Sequence, residues 1–163
     1  MKRGFHIKFL IQASVIAALY VVLTITLMPI SYGFMQVRVS EALTVLPYFT
    51  PAAIPGLFIG CLISNALSPY GIVDMICGSG ATLLAALTSY LVRRNKYIVP
   101  LPPILYNGLI IGGMLYFVYG VPISLPICML WVSAGEFLAC YLIGMPLLLY
   151  LEKRNLFHGE RIG

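Results

Sequence analysis

Charged side chains are scarce in this sequence, at 9% of 163 residues. A soluble domain carries about a quarter. With 61% hydrophobic residues and a mean hydropathy of +0.98, the chain cannot face water on all sides. A soluble enzyme or soluble binding module is therefore excluded. Acids are the rarest charges, five against ten Lys and Arg, for a net charge of +5. That excess does not indicate a nucleic-acid partner. Nine of the ten basic residues fall in three short clusters, at the start, middle and end of the chain, as the positive-inside rule distributes them.

Chemistry-bearing motifs are missing as well. Four cysteines (Cys61, Cys77, Cys128, Cys140) sit singly in apolar runs without metal-ligand spacing, and fit as small packing residues. The two histidines, His6 and His158, lie in terminal segments. No Lys follows a Gly, so no phosphate-binding Walker loop exists, and Gly78-Ser79-Gly80 lacks the third glycine of a dinucleotide fingerprint. No catalytic residue, metal site or cofactor is expected. A pump built on this chain must draw its energy from elsewhere.

What the chain does have is apolar runs near 20 residues, each able to cross a hydrocarbon core about 30 Å thick. The first runs from about Phe9 to Met28; its basic, apolar start resembles a signal peptide but continues too long for one. The second, Val39 to Phe49, is short and interrupted near Pro47 and Pro51, a discontinuity tolerated only against protein or a cavity. The third spans Pro51 to Leu67, and Ser68-Pro69-Tyr70-Gly71 reads as a tight turn. The fourth runs from Ile72 to Arg93-Arg94, the fifth from Pro100–Pro103 to Tyr119-Gly120. The sixth runs from Pro122 to Leu151, with bends expected at Pro126 and Pro146. The expectation is an all-α integral membrane protein, one six-transmembrane-helix bundle over residues 1–163. Both termini are placed in the cytoplasm, with Arg38 the one basic residue outside.

Between helices in lipid, close approach depends on small residues. Gly56, Gly60, Ser64 and Ser68 repeat at spacing four; Asp74, Gly78 and Ala81 share a face, as do Gly108 and Gly112. The pair Ala13 and Ala17 fits internal packing or the docking of another subunit.

Acids inside a membrane are costly, about 3 kcal/mol at a helix centre. Glu136 falls near mid-depth with no basic residue in its own span, and a ligand role suits it better than a structural one. Asn107 is comparably deep. Arg38, Glu41, Asn65 and Asp74 gather toward the outer face, so that a pocket would run from that surface inward. Each has a structural alternative: Glu41 could pair with Arg38 one turn away, Asp74 could be the favoured charge of a helix N-terminus, and the asparagines could be interhelical bonds. Trp131 and Tyr70 are candidate stacking partners for a planar ligand, or interfacial belt residues.

The run RVSEALTVLPYFTPAAIPGLFIGCLISNALSPYGIVD, followed by GSGATLLAA and PLPPILYNGLIIGG, resembles the QueT family over nearly the whole chain. These are substrate-binding S components of energy-coupling factor (ECF) transporters. The resemblance implies six helices and a solute site near the outer face. It also implies partnership with one membrane coupling subunit and two cytoplasmic ATPases, which supply the missing energy source. An Ala-x-x-x-Ala pattern on the first helix docks such subunits, and Ala13 to Ala17 fits it. The implied solute is a queuosine precursor or related 7-deazaguanine. Glu136 or Glu41 would accept from its N1–H and exocyclic amine, and Asn107 or Asn65 would donate to its carbonyl. Trp131 or a tyrosine would stack, and a cationic aminomethyl group would suit a second acid such as Asp74. The segment Pro29 to Arg38 would be the gate. Alternatives are an S component for another vitamin or nucleobase, a proton-coupled carrier working alone through Glu136, and a membrane enzyme using its acids. The last lacks nucleophile and metal signatures.

Overall fold

The structure, a computed structural model, describes residues 2–28, 38–68 and 71–154. Within them the chain is helical, with no strand. Helix α1 (Lys2–Thr26) is followed by a 3-10 helix (Val39–Tyr48), then α2 (Ala53–Ala66), α3 (Gly71–Leu91) and α4 (Leu101–Phe117). The last rod runs from α5 (Leu125–Phe137) through a π-helical turn (Leu138–Gly144) into α6 (Met145–Arg154). Three stretches are long and apolar enough to cross a membrane: His6–Thr26, Gly71–Leu91 and Leu125–Arg154. Helices α2 and α4 are apolar but shorter, about 21 and 25 Å at the α-helical rise.

Proline decides where the helices break. In α4 the prolines stand in the first turn, where the missing N–H has no intrahelical role, so the helix begins at Leu101 rather than after them. Pro126 is likewise in the first turn of α5 and bends nothing. Pro146 follows the π-helical turn directly; having no N–H for the carbonyl four residues earlier, it favours a local change of hydrogen-bond register there. A π-helical turn, the one widened turn of this rod, stands just before Pro146, where the sequence placed a bend. The short second segment is a 3-10 helix of ten residues with Pro47 inside it, about 20 Å long at the 3-10 rise. Nearly all of it is buried, from Ser40 to Pro47.

Helices α1, α2, α3, α4 and α5 pack in that order, each on the next, and α1 meets α2 although the 3-10 helix separates them in sequence. The 3-10 helix lies against α1, α2, α3, α6 and the π-helical turn, and so sits inside the bundle. Glycine makes the contacts close. A Cβ on Gly56 would lie 2.8 Å from the Ala13 carbonyl, and one on Gly60 would lie 2.8 Å from the Tyr20 Cβ. On Gly112 it would lie 2.6 Å from the Met129 Cα, so α4 and α5 touch backbone to backbone. The turn into α3 needs glycine for another reason: Gly71 has φ +72°, and its N–H reaches the Ser68 carbonyl.

Candidate functional site

Helix α1 and the 3-10 helix run antiparallel and are stitched together by polar side chains. Thr24 donates to Ser40 at 2.7 Å, Tyr20 donates to Glu41, and Thr50 donates to Gln12 at 3.1 Å. The four residues on the first two of these rungs are fully buried. Tyr20 and Thr24 continue the stripe begun by Ala13 and Ala17, at helical spacing, so the face of α1 that packs inward is small first and polar later.

Glu41 is the hub. Its Oε1 accepts from Tyr20 and, at 3.0 Å, from Thr82 of α3. Its Oε2 is buried with no hydrogen-bond partner. Its backbone carbonyl accepts from Thr44 at 2.5 Å and from the Cys140 thiol at 3.5 Å. Cys140 in turn lies 3.8 Å from Glu136 Oε2, so the π-helical turn carries the network from Glu41 to Glu136. The turn fits there because a Cβ on Gly144 would meet the Ala42 carbonyl at 3.0 Å. Asn107 of α4 approaches the Glu136 carboxyl without completing a hydrogen bond, and its Nδ2 is a second buried polar atom without a partner. Two orphaned atoms, one acceptor and one donor, therefore lie in the same interior. Groups of this kind cost about 1–3 kcal/mol each unless something supplies the missing bond.

Arg38 pairs with Asp74 at 3.4 Å, both buried. Asp74 stands in the first turn of α3, so the helix-terminus reading and the ion-pair reading hold together. The cation that sequence spacing offered to Glu41 is shared across elements with Asp74 instead. Asn65 donates to the Asp74 carbonyl at 3.2 Å and closes α2 onto α3, the interhelical role.

The structure thus brings Arg38, Glu41, Asn65, Asp74, Asn107 and Glu136 into the buried interior. Trp131 is not with them: it is 40% exposed on α5, where an interfacial residue sits. Tyr70, and every residue of the expected Pro29 to Arg38 gate except Arg38 itself, lie outside the described residues. Sequence reasoning missed Tyr20, Thr44 and Thr82. Tyr20 was within reach, three residues past Ala17 on the stripe already singled out; the two threonines carry no signal that separates them from packing residues.

Ala13 and Ala17 are each 8% exposed and packed against α2. They also floor an apolar groove of about 560 Å³ between α1 and α2, walled by Ser14, Ala18, Val21 and Ile59 among others.

A bundle of apolar helices that buries carboxylates and amides in its interior defines a class: a helical membrane protein with a polar core. Residues 10–153 match the family model described as QueT transporter, and the chain belongs to that family. Over 77 residues, 46% of this chain, it is 46% identical to the queuosine precursor transporter QueT of Lactococcus lactis subsp. cremoris, strain MG1363. The match spans 45% of that relative's length. No solved structure matches the chain.

Proposed function

We propose that this chain is the solute-binding S component of an ECF-type uptake system for queuosine precursors, with six crossings and both termini in the cytoplasm. The observation that carries the site is the pair of orphaned atoms, Glu41 Oε2 and Asn107 Nδ2. A 7-deazaguanine base offers ring N–H and amine donors on one edge and a carbonyl acceptor beside them, the complement of that pair. Tyr20 and Thr82 hold the Glu41 carboxylate from its other oxygen, so the acceptor is oriented before the solute arrives.

The orientation is supported by the ends of the bundle. Tyr48 and Lys96 both bind Glu152, at 3.0 Å each, which puts the end of the 3-10 helix, the α3–α4 connection and α6 on one side with Arg93, Arg94, Lys153 and Arg154. That basic side is the cytoplasmic one by the positive-inside rule. Arg38 and Asp74 then lie toward the outside, where a solute enters. Coupling comes through the groove on α1, over Ala13 and Ala17, where the membrane coupling subunit of the partner module docks and its two ATPases supply the energy.

The test is a titration of purified protein with 7-deazaguanine bases by calorimetry. Submicromolar binding that falls at least thirtyfold in Glu41→Gln and Asn107→Leu supports the reading. No binding by wild-type protein overturns it.

A further inference from the structure

Helices α1 and α6 both pack on the 3-10 helix, and an apolar groove of about 320 Å³ runs over it between them. Val15 and Leu19 of α1, Leu43 and Leu46 of the 3-10 helix, and Leu147 and Leu151 of α6 line it. It shares no residue with the groove over Ala13 and Ala17, and the two are built differently. The larger groove presents Ala13, Ser14, Ala17 and Ala18, small side chains that let another helix come close. None of the residues lining the smaller one is Gly, Ala or Ser. Gln12 is its one polar residue, and the Gln12 Oε1 is taken up by the Thr50 hydroxyl. Branched apolar walls of this kind hold a helix off and suit a flexible hydrocarbon chain.

Length and charge name the occupant. From Leu19 to Lys8, eleven residues along α1, is about 16 Å at the helical rise, one leaflet of a hydrocarbon core about 30 Å thick. Lys8 stands one turn beyond Ile11 and Gln12 on the face that lines the groove, and Arg154 one turn beyond Leu151. Both are exposed. The Arg154 guanidinium lies 5.5 Å from the centre of the exposed Tyr150 ring, and an aromatic beside a cation marks the headgroup level of a membrane. The groove is therefore an apolar slot one leaflet deep with two cations at its mouth.

We infer that the groove between α1 and α6 binds one anionic phospholipid of the cytoplasmic leaflet, its acyl chain along Val15, Leu46 and Leu147 and its phosphate held by Lys8 and Arg154. The site is separate from the solute and takes only its leaflet from the orientation proposed above. Two basic side chains near that surface favour an anionic headgroup by about thirtyfold.

Native mass spectrometry tests this on the purified full chain, stripped of lipid in detergent and titrated with phosphatidylglycerol or phosphatidylcholine of identical acyl chains. Wild-type protein should retain one phosphatidylglycerol at least tenfold more tightly than phosphatidylcholine. Lys8→Gln with Arg154→Gln should bring the two lipids within about threefold of each other by weakening the anionic one alone. Arg93→Gln with Arg94→Gln removes the same charge from the same side of the bundle and should leave the preference as in wild type. Val15→Trp should fill the groove and weaken both lipids at least tenfold. Equal affinities in wild type overturn the inference. A loss of preference as large in the Arg93 and Arg94 variant overturns it too, because the basic side as a whole then attracts the lipid. Unchanged lipid binding in Val15→Trp overturns the groove as the site, and if that variant also releases the coupling subunit from whole complexes, the groove belongs to a partner helix. Where Val15→Trp does not fold, the two charge variants decide. None of these outcomes alters the solute titration, so the uptake reading stands or falls on its own test.

Discussion

The Tyr20 hydroxyl donates to the Glu41 carboxylate across 21 residues of chain, and both side chains are fully buried. That bond ties the longest helix to the 3-10 helix at an acid whose second oxygen is buried without a partner. Tyr20→Phe keeps the ring and its packing but removes the donor. Solute affinity should fall about tenfold, the equivalent of about 1.4 kcal/mol, with helical content unchanged by circular dichroism. Thr82→Val removes the other donor to the same oxygen and should act in the same direction. Unchanged affinity in both variants would mean that Glu41 needs no positioning.

Arg38 and Asp74 form a buried pair, and removing one partner of such a pair strands the other charge. Asp74→Asn should lower stability by about 3–5 kcal/mol. The double variant Arg38→Met with Asp74→Asn should be more stable than that single variant, because no guanidinium is left in the interior. A double-mutant cycle of thermal midpoints measures the coupling. Additive effects would show that the pair is not the source of the cost.

Gly108 and Gly112 look alike in sequence, one turn apart on α4, but face different atoms. A Cβ on Gly108 would meet the Ser133 Oγ at 2.0 Å, a hydroxyl that rotates away about its own χ1. On Gly112 it would meet the Met129 Cα and N at 2.6 and 2.9 Å, and backbone cannot rotate away. Gly112→Ala should therefore cost about 1–3 kcal/mol and Gly108→Ala clearly less. Equal thermal midpoints for the two variants would contradict the α4–α5 packing described.

Much of this was legible from the chain and the reasons are specific. Helix boundaries followed from Pro and Gly, which act locally: Val39 to Phe49 as a short, interrupted segment differs by one residue from the 3-10 helix observed. The buried acids and amides were legible because lipid makes polarity rare, so each one stood out. The partner of each acid was not, since Arg38 is three residues from Glu41 in sequence and yet closes on Asp74, a contact set by how α3 lies on the 3-10 helix. Trp131 was assigned by distance along one helix, which fixes depth but not the direction a side chain faces.

The α1 groove gives a separate prediction about coupling. Ala13 and Ala17 are already pressed against α2, so enlarging them would disturb the bundle itself. Ser14 and Ala18 line the same groove from its exposed side. Ser14→Trp with Ala18→Trp should fill it and abolish uptake by whole cells that carry the partner module, while solute binding by the purified subunit stays within twofold. Uptake at the wild-type rate would place the partner on another face.

At the opposite end of the bundle from Arg38, Lys96 donates to Glu152 at 3.0 Å, and that hydrogen bond, with the attraction of the carboxylate, holds the Lys96 ammonium above its usual pKa. A raised folded-state pKa means stability that is fully present below the unfolded value, about 10.4, and lost as pH rises through the folded one. The pair is partly exposed, so its effect is small: Lys96→Met should lower the thermal midpoint by ~1–3 °C at pH 7. The difference between wild type and variant should stay constant up to about pH 10 and shrink to nothing above it. High salt should shrink it at pH 7 as well, because exposed charges are screened. A difference that grows with pH would carry the opposite sign, and would mean that Lys96 is held by its aliphatic stem rather than by the charge on Glu152.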